Sequence, residues 1–455
     1  MSVGAQTVLF IASRGDIAGG EKYLLSVLRH LDRARYMPIV VLPGEGAFKT
    51  ELDAVGVESL VLPANYTWLQ PPQEWYPFLQ SVPTRVRALA GLIRQRGVAL
   101  VHTNSNQIIE GALAARLCGV HHVYLAHIEF QSDLPIFERF ALAQPSFAAL
   151  MAELSSRVIA VSNQVADSLR PNVRAEQLQV IHNGLELDAF DRAVARKGDA
   201  FRRELGLAPG AVLVTAVGRV HPDKGFDLLI EAAAQLAAKV PQAHFAIVGG
   251  TDSEAYLGTL QQRIGALGLG NRVHLVPFRK DVPDLLAQSD IFVLSSRREG
   301  HPFVLLEAMA CGCPVVATRC GGVEETVVEG ETGFTVPLGD VQALAAVLAA
   351  LATDGDLRRR FGEAGFRRVR QQFAAPRMVD ALQDTYAEVL AGQRPHAGSM
   401  ATELFLQACA EFGFLGAELT ALKERVKRGE RAADLIFNNP LAKAARRLMG
   451  RGGKR

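Results

Sequence analysis

Cysteine is scarce in this sequence: Cys118, Cys311, Cys313, Cys320 and Cys409 are scattered over 455 residues. An odd, dispersed set makes no disulfide framework and suits a reducing compartment. Cys311-Gly312-Cys313 has no second Cys or His pair at ligand spacing, so small buried residues beside a glycine are the plainer reading. Long apolar runs are missing too: no stretch reaches the roughly 18 uninterrupted apolar residues of a membrane-spanning helix. The N-terminus lacks the basic patch and apolar core of a signal peptide, because Val8-Leu9-Phe10-Ile11 leads straight into a loop. These absences lead us to expect a soluble, cytoplasmic chain, or one peripheral to the inner face of the cell membrane. No Asp-x-Asp element stands in a strand-end loop, so nothing calls for a metal or a cofactor.

What is present is ample core material. Hydrophobic residues make up 49% and charged residues 21%, and the length exceeds what a single core holds. Short apolar runs alternate with amphipathic stretches such as 228–238 and 343–351, the signature of parallel sheets wrapped by helices. One series of strands is expected at 8–12, 39–42, 98–102, 122–126 and 158–161, and a second at 212–217, 244–248, 273–276, 291–294 and 314–317. The expected fold is therefore α/β, with two doubly wound domains, a boundary near 186–210, and a helical tail after Gln393.

Charge is unevenly placed. The net charge is +2, yet residues 421–455 hold eleven Lys/Arg against three Asp/Glu, which leaves the body mildly acidic. Basic and apolar residues interleave in Lys423-Glu424-Arg425-Val426-Lys427-Arg428 and again from Lys443 to Leu448. Such a tail reads as docking to an anionic membrane, with a solvated end as the alternative. Nucleic-acid binding would rest on this tail alone and is not expected. Residues 65–78 concentrate Tyr66, Trp68, Trp75, Tyr76 and Phe78 among three prolines. They read as a long loop whose aromatics either grip an acceptor or lipid, or cover the domain's own surface.

Open α/β sheets bind ligands beyond the carboxyl ends of their strands, so chemistry is sought in the loops there. After strand 291–294 comes Arg298-Glu299-Gly300-His301-Pro302-Phe303-Val304-Leu305-Leu306-Glu307, continuing Ala308-Met309-Ala310-Cys311-Gly312. Pro302 suits the first turn of a helix, whose free amides at Phe303 and Val304 can face an anionic oxygen. Ser296 and Glu299 match capping-box spacing, but a helix opened by Pro302 starts too late for Glu299 to be its third residue. Glu307 is flanked by Leu305, Leu306, Ala308, Met309 and Ala310, an odd setting for an idle surface charge. Two histidines end strands, His102 and His127, each open to a structural or a cleft role.

The run from Glu299 to Glu307, followed by AMACGCPVVAT, resembles the Glu-x7-Glu signature of the retaining glycosyltransferases of family 4, whose fold is of the two-domain GT-B type. Gly218-Arg219-Val220-His221-Pro222-Asp223-Lys224-Gly225, His182-Asn183-Gly184 and Gly321-Gly322-Val323-Glu324-Glu325 resemble further elements of that family. The resemblance implies an N-terminal acceptor-side Rossmann-like domain (1–190) and a linker (191–210). After these it implies a nucleotide-sugar-binding domain (211–375), a helix returning to the first domain (376–394) and the basic tail (395–455).

Carried over residue by residue, the resemblance has Arg219 and Lys224 hold the diphosphate of a nucleotide-sugar donor. Glu307 would bind the ribose hydroxyls and Glu299 those of the transferred sugar, with Gly300, Phe303 and Val304 in the same groove. Gly19 and Gly20 would let the first domain's backbone approach the ligand, with Ala18 where the family more often has glycine. His127 resembles the cleft histidine that contacts the transferred sugar, and as a neutral donor it would help stabilise an oxocarbenium-like transition state. A double displacement needs a carboxylate nucleophile by the anomeric carbon, and with both glutamates engaged no other declares itself. The expectation is metal-independent front-face transfer to a glycan or lipid-linked acceptor, in cell-envelope polysaccharide or glycolipid synthesis. A nucleotide-sugar epimerase and a non-catalytic nucleotide-sugar-binding subunit are the alternatives. Release of free epimer would mark the first, while intact Arg219, Lys224, Glu299 and Glu307 weigh against the second.

Overall fold

The structure is a computed structural model that describes residues 4–62, 67–71, 74–105, 107–130, 144–196, 198–237 and 239–427, with side chains as far as 421. Two parallel sheets organise it. The first has seven strands, β1 (Gln6–Ile11), β2 (Tyr36–Leu42), β3 (Glu58–Val61), β4 (Leu100–Thr103), β5 (His121–Ala126), β6 (Arg157–Ala160) and β7 (Leu178–Val180), in the order β3-β2-β1-β4-β5-β6-β7. The second has six, β8 (Val212–Val217), β9 (Ala243–Val248), β10 (Val273–Val276), β11 (Ile291–Leu294), β12 (Val315–Thr318) and β13 (Gly333–Val336), in the order β10-β9-β8-β11-β12-β13. Helices cover both faces, so central strands such as Val8-Leu9-Phe10-Ile11 are fully buried and read as unbroken apolar runs.

Strand order reverses between β1 and β4 in one sheet and between β8 and β11 in the other. Those are the points where an open α/β sheet leaves a crevice beyond its carboxyl edge. The loops that leave these strands begin at Ala12, Asn104, Gly218 and Ser295.

Three strands were not expected: β3, β7 and β13. Each lies at a sheet edge. The residues of β3 and β7 are partly exposed, and β13 is the short mixed run Gly-Phe-Thr-Val. Edge strands need not be apolar on both faces, so they lack the signal that marks central ones.

The stretch 191–210, expected as a linker, holds the end of helix Asp188–Arg196 and the helix Ala200–Glu204. Phe190 and Phe201 bury these helices against the second sheet's layers. The chain crosses between the sheets at Leu185 and again at Ala374, and the two crossings are bonded side by side. Leu185 N–H donates to the Phe373 carbonyl at 2.7 Å, and Ala375 N–H to the Leu185 carbonyl at 3.0 Å. Helix Ala375–Ala391 then lies against helix Gly19–His30, with Met378, Leu382 and Tyr386 joining the first core.

His102 belongs to that joint rather than to the cleft. It is fully buried in β4, and its Nδ1 meets the Tyr386 hydroxyl at 2.7 Å. The aromatic segment is also largely structural. Tyr66 and Pro72 lie outside the described residues, but Trp75 opens a helix (Trp75–Gln95) rather than continuing a loop. Trp68 is 1% exposed, packs edge-on to Phe78, and donates Nε1–H to Glu110 at 3.2 Å. These side chains plug the domain's own core.

Helix Met400–Lys427 runs along helix Trp75–Gln95 and adds Leu406 and Cys409 to the first core. The basic stretch from 428 onward lies outside the described residues. Among the described residues no helix is long and apolar enough to cross a membrane.

Candidate active site

On the second sheet, the loop after β11 turns into helix Phe303–Ala310. Pro302, expected in the first turn, stands one place earlier as the extended cap residue, and no side chain caps this helix start. Leu305, Leu306, Ala308, Met309 and Ala310 are buried and fix the helix against β11 and β12. They carry Glu307 into a nearly closed position at 6% exposure. Its Oε1 accepts a charged hydrogen bond from Lys22 Nζ at 2.9 Å, across to the first sheet's side.

Glu299 lies in the loop before the helix. Its Oε1 accepts from Lys224 Nζ at 2.6 Å and from Ser296 Oγ at 2.7 Å. Lys224 ends a single helical turn after β8, Pro222–Lys224. That turn is stapled to the Glu299 loop by Arg297 N–H on the Asp223 carbonyl (2.7 Å) and Arg298 on Asp223 Oδ1 (2.8 Å). Arg219, in the same loop as Lys224, turns to Asp252 Oδ2 at 2.7 Å, with both side chains more than half exposed.

On the first sheet, His127 follows β5, Asn104 follows β4, and Gly19 and Gly20 start the helix after β1. Asn104 ties these together. Its Nδ2 donates to the Gly20 carbonyl at 2.8 Å, which leaves Oδ1 facing His127 Nε2 at 3.0 Å. Burial pushes the His127 pKa down to about 4, so the ring is neutral near pH 7. A neutral imidazole has one N–H, and the acceptor at Oδ1 places it on Nε2. That proton is given to Asn104, a use the sequence did not anticipate. Tyr23 packs edge-on against the ring. Gly20 approaches the same group: a side-chain carbon there would stand 3.6 Å from His127 Nε2. Gly19, expected to make a close approach too, has nothing within 4 Å of that position.

The two halves touch through glycine. At Gly300 a side chain's first carbon would run into the His127 carbonyl oxygen, so only glycine lets the Glu299 loop reach the end of β5. Gly321, at φ 53°, lies equally close to the Glu299 carbonyl. Beyond it, Glu325 reaches the first sheet's helix Asn163–Leu169. It accepts from Asn163 N–H at 2.8 Å, from Gln164 N–H at 3.3 Å, and from His182 Nε2 at 2.7 Å. Burial works to raise its pKa, but the bonds from His182 and Asn163 outweigh that and hold it at about 2. Asn183 Nδ2 donates to the His301 carbonyl at 2.7 Å beside this cluster.

Of the residues expected at the site, the structure therefore brings Glu299 onto Lys224 and places Gly300 against His127. Glu307 opens toward Lys22, and Phe303 packs between the two halves' cores. Val304 is half-buried beside it. Arg219 stands apart, engaged by Asp252. Lys22 and Asn104 escaped the sequence reading. Asn104 had one signal, its place directly after a strand; Lys22 had none beyond following Gly19-Gly20.

Comparison with known proteins bears on the family and the fold. Residues 17–189 match the family described as Glycosyltransferase Family 4, and residues 198–368 match Glycosyl transferases group 1. A D-inositol 3-phosphate glycosyltransferase of Rhodococcus jostii is 32% identical over 340 residues, covering 68% of this chain and 72% of that protein. The UDP-Gal:alpha-D-GlcNAc-diphosphoundecaprenol alpha-1,3-galactosyltransferase of Escherichia coli is 28% identical over 308 residues, 67% of this chain and 79% of that one. Anabaena Alr3699/HepE, solved in complex with UDP, superposes with a TM-score of 0.70 at 26% identity, covering 84% of this chain and 100% of that one.

Proposed function

This chain is a glycosyltransferase of family 4 with the GT-B fold, and from that premise we propose that it moves a sugar, with retention, from a nucleotide diphosphate donor to a glycan or lipid-linked acceptor. The observation that carries this reading is the pairing of Lys224 with Glu299 beside Gly300, where the second sheet's loop meets His127. UDP-sugars are the donors to try first. The Escherichia coli relative is named for UDP-Gal and a lipid diphosphate acceptor, and Alr3699/HepE was also solved with UDP-glucose.

In this mechanism Lys224 and Arg219 exchange their carboxylate partners for the donor's phosphates, which match an ammonium and a guanidinium well. Glu307 takes the ribose hydroxyls, and Glu299, released by Lys224, takes hydroxyls of the sugar. The first domain supplies the acceptor side. The acceptor oxygen attacks the anomeric carbon on the face that the diphosphate leaves, and its proton passes to a departing phosphate oxygen. Lys224 and Arg219 absorb the charge that develops there. Front-face transfer of this kind asks for no carboxylate nucleophile beside the anomeric carbon, so both glutamates stay on the donor. No Asp-x-Asp element serves the diphosphate, so transfer should persist in EDTA. The basic residues of 421–455 would hold the enzyme to the anionic inner face of the membrane, where cell-envelope acceptors are displayed.

The test separates the two carboxylates. Glu307→Ala should weaken UDP and UDP-sugar alike, by roughly ten- to a hundredfold for a lost charge-assisted hydrogen bond. Glu299→Ala should leave UDP affinity nearly intact while depressing transfer. Calorimetry beside a transfer assay decides it, and the anomeric coupling of the product by NMR reports retention. Two variants that bind UDP and transfer sugar like the parent would sink the reading.

A further inference from the structure

We propose that Lys22 is a positioning residue for the donor's ribose: its ammonium holds the Glu307 carboxylate and so couples nucleotide binding to the approach of the two sheets. This rests on the reading that Glu307 binds ribose.

Glu307 is a charge in an apolar setting. Its side chain is 8% exposed and its neighbours along the helix are buried aliphatics and Met309. A carboxylate so placed is costly to bury without a partner. Among the described residues Lys22 is the cation bonded to it, while four other basic side chains nearby have other carboxylate partners. Lys224 is on Glu299, Arg219 on Asp252, Arg298 on Asp223 and Arg297 on Asp227. The pair joins residues from the two sheets' separate layers.

Stability alone is a poor account of this contact. Lys22 is 53% exposed, so its ammonium can find water whenever Glu307 withdraws, and half-exposed ion pairs contribute little to folding. What the contact does is directional. Lys22 sits in the first turn after Gly19-Gly20, and that turn is tightly tied. Gly20 is held by Asn104, Lys22 N–H donates to the Ala18 carbonyl at 2.9 Å, and Glu21 bonds Ser13 Oγ and Ala18 N–H. The ammonium thus starts from a frame shared with His127, and its reach to Oε1 requires the halves to be close.

A carboxylate offers about four acceptor positions, so Lys22 on Oε1 leaves room for two ribose hydroxyls. With the ammonium in place, Glu307 is fixed in orientation and neutralised before the nucleotide arrives. Without it, closing the halves would bury an unpaired carboxylate.

A double-mutant cycle read by calorimetry with UDP tests the proposal. Lys22→Met keeps the alkyl stem and removes the charge; it should weaken UDP roughly tenfold, the scale of a charged hydrogen bond, with Tm unchanged. Lys22→Arg should recover most of that loss. On a Glu307→Gln background, Lys22→Met should change UDP affinity less than about twofold. In transfer assays Lys22→Met should raise the donor KM more than it lowers kcat. Equal Lys22→Met penalties in both backgrounds would overturn the coupling while leaving the ribose assignment of Glu307 intact. A Glu307→Gln variant that binds UDP like the parent would remove both, and the penalty's loss with 2′-deoxy-UDP would support both.

Discussion

Lys224 and Glu299 are bonded to each other, Nζ to Oε1 at 2.6 Å, so the cation expected for the diphosphate neutralises the carboxylate expected for the sugar. Their side chains are 27% and 11% exposed, which makes either charge costly to leave alone. Donor binding then amounts to an exchange in which phosphate takes the ammonium and sugar hydroxyls take the carboxylate. Lys224→Ala should weaken UDP by roughly ten- to a hundredfold. Because the residues act as a pair, Lys224→Ala with Glu299→Ala should lose less than the sum of the two. Calorimetry of the three variants checks this, and a Lys224→Ala variant that binds UDP within twofold of the parent removes Lys224 from the diphosphate.

Gly300→Ala should be far more damaging than the change of one methyl suggests. The new carbon would collide with the His127 carbonyl oxygen, which is backbone and cannot swing aside. The Glu299 loop would have to back away from β5, and displacements of about 1 Å near reacting atoms can cost on the order of a hundredfold in rate. We expect kcat/KM to fall by about that factor while UDP affinity falls much less, since Glu307 and Lys224 sit to the side of the contact. A Gly300→Ala enzyme of near-normal activity would mean that the closed contact is not the reactive one.

How much of this was legible in advance depends on what each residue had to do. Central strands such as β8 and β11 are buried on both faces, and the sequence marks them to the residue. The edge strands β3, β7 and β13 were invisible because one side of them needs no apolar neighbour. Glu299 and Glu307 stood out as carboxylates beside apolar residues and a helix start. Lys22 and Asn104 did not, because a lysine on an exposed helix face and an asparagine after a strand look alike whether or not a partner waits across the fold. The aromatic cluster misled for the opposite reason. Trp68 needs Glu110 and Phe147, which lie 42 and 79 positions away, and nothing local announces them.

His127→Ala should depress turnover far more than donor affinity. The ring is neutral, with its pKa near 4, and its N–H is committed to Asn104. It therefore shapes the reacting end of the cleft without adding a charge to hold the diphosphate. The sign of its pH dependence follows. A histidine whose pKa is depressed from 6.5 to about 4 stays unprotonated as pH falls through 6.5, so kcat should show no loss attributable to it between pH 8 and 5. A kcat profile with an acid limb near 6.5 that disappears in the His127 variant would show a protonating ring. Collapse of donor affinity with intact turnover would make His127 a donor-holding residue instead.

Glu325 supplies the last test, because its charge links the sheets away from the reacting groups. It accepts the free amides of Asn163 and Gln164 at a helix start and the His182 ring, and these bonds hold its pKa at about 2 against an ordinary 4.5. A carboxyl whose folded pKa is depressed binds its proton more readily when unfolded. Its contribution is therefore complete above pH 4.5 and is lost as pH falls toward 2. Glu325→Gln keeps the size and removes the charge, so it should lower Tm by a few degrees at pH 7. The gap between variant and parent should then narrow below pH 4.5. Calorimetric scans from pH 7 to the acid edge of the parent's own stability read this directly. A gap that stays constant as pH falls below 4.5 would mean that shape rather than charge holds the joint. No gap at pH 7 would mean that the bonds to Asn163, Gln164 and His182 contribute nothing to keeping the halves together.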